Sequence, residues 1–75
     1  MKNQLRYTLL GIIAEETLKS KYIAEWHICA IIGVKGGQFG GGTPEDDALR
    51  SLIADGLVEN MPNLSYRYRL KLPQP

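Results

Sequence analysis

The sequence has little that could staple, anchor or catalyse. It holds one cysteine, Cys29, and one histidine, His27. A single thiol cannot close an internal disulfide, and it suits a reducing compartment better than a secreted one. His27 and Cys29 lie two apart on an expected helix and point in different directions. One His and one Cys cannot complete a four-ligand zinc site, so no metal is expected and both are assigned to core or boundary packing. No run of about 18 apolar residues occurs, which argues against a transmembrane helix and against membrane contact. The first segment is interrupted by Arg6, Glu15 and Glu16, unlike the unbroken apolar stretch of a signal peptide. The expected location is the cytoplasm.

Catalytic groupings are missing too. Glu45-Asp46-Asp47 has no nucleophile or pKa-raising pocket signalled beside it, so no enzyme is expected. The segment Val34–Thr43 passes through five glycines into a helix, in the manner of a phosphate-binding loop. That motif ends in Gly-Lys-Ser/Thr, whereas here Gly42 is followed directly by Thr43. No nucleotide or other cofactor is expected.

Seventy-five residues suffice for one domain over residues 1–72, with 73–75 as a tail. A core in so short a chain is thin. With 44% apolar and 23% charged residues, the composition is that of a folded domain rather than a disordered chain. Net charge is only +1, but it is unevenly placed. Residues 1–42 carry Lys2, Arg6, Lys19, Lys21 and Lys35 against Glu15, Glu16 and Glu25. Residues 43–59 set Arg50 against Glu45, Asp46, Asp47, Asp55 and Glu59. Residues 60–75 carry Arg67, Arg69 and Lys71 with no acid. A basic end thus follows an acidic stretch.

Periodicity gives the elements. Leu5, Leu9, Ile12 and Ile13, broadened by Leu10, mark a helix from Gln4 to about Leu18. Gly11 weakens it and would admit a close neighbour. Ser20 offers an N-cap for a second helix starting at Lys21, with Tyr22, Ile23, Trp26 and Ala30 in its pattern and Trp26 in the core. Its far end, Ile28–Val34, is β-branched enough for a buried strand. Helix to about Ile32, closed by Gly33, is preferred. Lys35–Gly42 is a glycine loop with Phe39 as its only apolar anchor. Thr43 caps a third helix with Pro44 at its first position, acids in its first turn and Leu49, Leu52 and Ile53 on its apolar face. Asp55-Gly56 closes it. Leu57–Met61 is a strand, Pro62–Ser65 a turn, and Tyr66–Leu72 an alternating strand. Tyr66, Tyr68, Leu70 and Leu72 share one face of it; Arg67, Arg69 and Lys71 share the other.

The expected class is α+β, mainly α: three helices followed by a β-hairpin. Ala48–Glu59, followed by Tyr66-Arg67-Tyr68-Arg69-Leu70, resembles the recognition helix and wing of winged helix-turn-helix regulators. Leu9–Glu15 is similar to the opening of PadR-like transcriptional regulators, the family closest in flavour. The chain differs in having Pro44-Glu45-Asp46-Asp47 where that family is rich in Ser, Thr and Tyr, a longer glycine-rich loop before the helix, and no dimerisation helix after the wing.

The resemblance implies a DNA-binding domain, a transcriptional regulator whose third helix approaches the major groove of double-stranded DNA. Arg50, Ser51 and Thr43 are its candidate contacts there, Arg67, Arg69 and Lys71 those of the wing, and Lys35 and Gln38 those of the loop. Each has a plain structural counterpart. The strand cations equally form a solvated edge, and Arg50 equally pairs with Asp46 or Asp47. A homodimer or larger assembly is compatible with DNA binding. The alternative is a protein-interaction module on the same fold, in which the acidic turn and Phe39 of the glycine loop meet a protein partner.

Overall fold

The computed structural model describes residues 2–71. The elements run α1 (Lys2–Ser20), β1 (Ile23–Ala24), α2 (Glu25–Ile32), α3 (Pro44–Ala54), β2 (Val58–Asn60) and β3 (Arg67–Leu70). The class is α+β. The strands form one antiparallel sheet in the order β1-β3-β2. The expected two-stranded hairpin is therefore a three-stranded sheet. Ile23 pairs with Tyr68 and Ala24 with Arg67, covering the edge of β3 that β2 leaves open. An uncovered edge would present unpaired N–H and C=O groups. Both strands of the hairpin are shorter than their alternation suggested, and Leu72 and the tail lie outside the described residues.

The first connection corrects the expected helix boundaries. α1 extends beyond Gln4–Leu18 at both ends, so Ser20 is its last residue and not a cap for α2. Lys21 then adopts a left-handed φ of 77° and donates its N–H to the Thr17 carbonyl at 3.0 Å, which ends the helix. α2 begins at Glu25, four residues later than expected. Its N-cap, Ala24, has no side-chain acceptor. The Glu25 N–H, one of the first-turn amides without a partner inside the helix, donates to the Tyr66 carbonyl at 2.9 Å, so the chain entering β3 satisfies it.

The later caps follow the sequence. Gly33, at φ 83°, ends α2 with its N–H on the Cys29 carbonyl. The Thr43 hydroxyl accepts the Asp46 N–H at 3.2 Å, with Pro44 opening α3. Gly56, at φ 77°, turns the chain from α3 toward β2.

Leu9 and Ile13 of α1, Ile23, Ile28, Cys29, Leu49, Leu52, Val58 and Tyr68 form the core. The Thr17 hydroxyl ties α1 to the sheet by accepting the Leu70 N–H at 2.9 Å. Trp26 is not in this core: it is 59% exposed and stacks on His27 with ring centroids 5.4 Å apart. α2 has only eight residues and turns Ile28 and Cys29 inward, with Glu25 in the buried place one residue before Trp26. Ala30 is exposed for the same reason. Ile53, 37% exposed, lies outside the buried face formed by Ala48, Leu49 and Leu52. Gly11 has no close neighbour among the described residues, since a Cβ there would meet nothing within 4 Å. Tyr66 does not share the inward face of Tyr68, because its backbone turns left-handed at φ 57° and leaves the ring exposed.

Candidate functional site

The loop and the hairpin meet on one buried carboxylate. Glu25 is 5% exposed. Its Oε2 accepts the Phe39 N–H at 2.9 Å, and its Oε1 accepts the Tyr68 hydroxyl at 2.8 Å. Burying a carboxylate is unfavourable unless its oxygens are hydrogen-bonded, and both of these bonds are charge-assisted. Burial, then the hydrogen bond and charge of Glu25, raise the Tyr68 phenol well above its ordinary value. The sequence reading missed Glu25; the available signal was one acid inside the apolar run Tyr22-Ile23-Ala24-Glu25-Trp26.

Two expected site residues are chain neighbours of this bridge. Gln38 precedes Phe39, and Arg67 precedes Tyr68, so each neighbours a residue that Glu25 holds. Gln38 and Lys35 are exposed. Phe39 is buried at 8% exposure, which anchors the loop as expected and removes its ring from any partner surface. Trp26 borders the glycine loop: a Cβ on Gly37 would lie 3.4 Å from the Trp26 Cβ.

The three residues expected to face DNA from α3 are all engaged within the chain. The Thr43 hydroxyl caps the helix and donates to the Gly40 carbonyl at 2.7 Å. Arg50 Nε pairs with Asp46 Oδ2 at 2.9 Å, one helical turn away. The Ser51 hydroxyl accepts from Arg6 of α1, and the same guanidinium pairs with Asp55 at 2.8 Å. Ser51 is thus turned toward α1 and half-buried. Glu45, Asp46 and Asp47 already offset the positive end of α3.

On the hairpin, Arg69 and Glu59 are register partners across β3 and β2, and their side chains form an ion pair. Arg67 Nη1 donates to the Ser65 carbonyl at 3.0 Å. Lys71 is exposed, and its N–H continues the ladder to the Leu57 carbonyl at 2.9 Å. Among the described residues, Lys21, Lys35, Arg67 and Lys71 have no carboxylate within ion-pair distance, whereas Arg6, Lys19, Arg50 and Arg69 each have one. The uncommitted cations therefore sit on the first connection, the glycine loop and the last strand, not on α3.

The Cys29 thiol is buried. Burial, with smaller contributions from the Glu25 and Glu45 charges, pushes its pKa up, which is the opposite of what a reactive thiolate needs. Among the described residues, no three His, Cys, Asp or Glu gather into a group able to hold a metal ion. No helix of the described residues is long and apolar enough to cross a membrane. No protein-family model, curated protein or solved structure matches the chain.

Proposed function

We propose that the chain is a winged-helix domain that binds double-stranded DNA mainly through backbone phosphates. Three helices followed by the antiparallel pair β2-β3 support the winged-helix reading. The observation that carries the DNA contact is the division of the cations. Among the described residues, Lys35, Arg67 and Lys71 have no carboxylate partner, whereas Arg50 on α3 is paired with Asp46. Phosphate contacts need free cations and carry no sequence information, while base reading needs an unobstructed helix face. The wing and the glycine loop are therefore the contact, with Gln38 of the loop as an exposed neutral hydrogen-bonding group. A regulator working this way takes its sequence preference from DNA shape or from a second subunit.

Titrating the chain with duplex DNA across a range of salt tests this. Three phosphate contacts give a log–log salt slope of about −3. Absence of binding at low salt, or binding indifferent to salt, overturns the reading.

A second reading, a protein-interaction module on the same architecture, is favoured by one observation. Trp26 and Ile31 are exposed on α2, and exposed large apolar groups are candidate protein contacts. In that reading these two side chains take the role expected of Phe39, and the acidic start of α3 keeps its own. Loss of DNA binding together with retention of a protein partner by the wild type, but not by Trp26→Ala, would select it.

A further inference from the structure

α1 buries one face against α3 and β3 and leaves another unpartnered. On the open face, Tyr7 is 73% exposed and Leu18 is 85% exposed. Gly11 is exposed between them, and Ala14 is half-exposed. At 3.6 residues per turn, these four positions fall within a stripe about 60° wide. Among the described residues, nothing requires glycine at position 11, because a Cβ there would meet open space. Glycine inside a helix is nonetheless destabilising. A leucine and a tyrosine left in water beside a surface glycine are explained together if another helix lies across them.

We infer that this stripe seats a second copy of the same chain, as an antiparallel α1–α1 pair about a two-fold axis. The spacing of the stripe is self-complementary. With the axis between Gly11 and Ala14, Tyr7 faces the partner's Leu18 and Gly11 faces the partner's Ala14. Small residues meet at the centre, where the helices approach most closely, and large ones meet at both ends. Isologous pairing requires one patch to match itself in this way; an unrelated partner would impose no such register.

The polar border fits the same crossing. It consists of Gln4, Thr8, Glu15 and Lys19, all exposed. On this flank Gln4 falls opposite the partner's Lys19 and Thr8 opposite the partner's Glu15, so no like charges meet there. The antiparallel arrangement also opposes the two helix dipoles. An interface of this kind buries on the order of 1,000 Å² in all, near the lower limit for a specific association. The dimer is therefore concentration-dependent, and it forms whether or not DNA is bound.

Sedimentation equilibrium of the full chain from micromolar to millimolar concentration tests the pairing. A reversible monomer–dimer equilibrium is expected. Leu18→Glu and Gly11→Leu should each weaken it about tenfold or more by placing a charge or bulk in the seam, with unchanged circular dichroism. Both positions are exposed in the single chain, so either variant can fold as a monomer. Register is tested by oxidative cross-linking. A mixture of Tyr7→Cys and Leu18→Cys chains should give mixed dimers faster than either variant alone, with the buried Cys29 left out of the exchange. A chain monomeric at every concentration, dimerisation unaffected by both substitutions, or faster cross-linking of Leu18→Cys with itself than with Tyr7→Cys would each overturn the inference.

Discussion

The Tyr68 hydroxyl donates to Glu25 Oε1 at 2.8 Å inside the protein, joining residues 43 positions apart. The other oxygen of the same carboxylate holds the Phe39 amide, so α2, the glycine loop and β3 share one polar centre. Tyr68→Phe leaves a buried carboxylate oxygen without its donor. A loss of about 1.5–3 kcal/mol is expected, because hydrogen bonds to charged groups lie in that range. Urea unfolding measures it. A loss within error of zero would mean that water reaches Glu25.

Alkaline pH should destabilise the fold through two buried acids. Burial first, then Glu25, raises the Tyr68 phenol; burial first, then the Glu25 and Glu45 charges, raises the Cys29 thiol. Both groups therefore stay neutral in the folded chain at pH values where the unfolded chain has released their protons. Their stabilisation is complete below the ordinary thiol and phenol values, about 8.5 and 10, and declines as pH rises past each. The urea midpoint should fall over that interval. Tyr68→Phe should remove the upper part of the fall and leave the part owed to Cys29. A midpoint flat through the phenol range in the wild type would contradict this.

The elements legible in the sequence are those set by local chemistry. Thr43-Pro44 opens α3, Gly33 closes α2 and Gly56 follows α3, because a hydroxyl acceptor, a missing N–H and a left-handed φ are properties of single residues. The junction before α2 was not legible. Ser20 is a good cap by type, yet it is the last residue of α1, and the first amide of α2 is taken up by the Tyr66 carbonyl, just ahead of a strand distant in sequence. Two-residue β1 is too short to show alternation, and it is defined by its pairing with β3, more than forty residues away. Among the site residues, the cations were identifiable, and so was one of their commitments, that of Arg50. An i,i+4 pair such as Asp46–Arg50 can be anticipated from spacing. The Arg6–Ser51 and Arg69–Glu59 contacts depend on how elements pack, and the Glu25 bridge depends on the whole fold.

The position of Trp26 has a direct optical consequence. It is the only tryptophan, and its ring is largely in water, stacked on His27. Native emission should already resemble that of the unfolded chain, and acrylamide should quench it readily. Unfolding by urea should therefore be followed by circular dichroism, because the emission maximum will move little. A blue-shifted native maximum, shielded from acrylamide, would place the indole in an apolar contact such as an oligomer interface.

The acidic start of α3 gives the sharpest test of how the domain meets DNA. Asp46 is 17% exposed at its side chain and holds Arg50, whose own side chain is 76% exposed. Asp46→Asn removes one negative charge and releases the guanidinium. The helix loses a first-turn acid, a change of about 0.3–1 kcal/mol, which leaves the fold in place. If phosphate contact governs affinity, this variant should bind duplex DNA more tightly, with a salt slope steeper by about 0.9 for the freed arginine. Arg67→Ala and Lys71→Ala should each make the slope shallower by about the same amount. Arg69→Ala should change it less, because Glu59 already takes up that charge. Lys19→Ala, at the far end of α1 and paired with Glu15, should leave it unchanged. Binding that ignores Arg67 and Lys71 while falling with Arg50→Ala would move the contact from the wing to the helix. In that case the Asp46–Arg50 pair would be a latch that DNA must open.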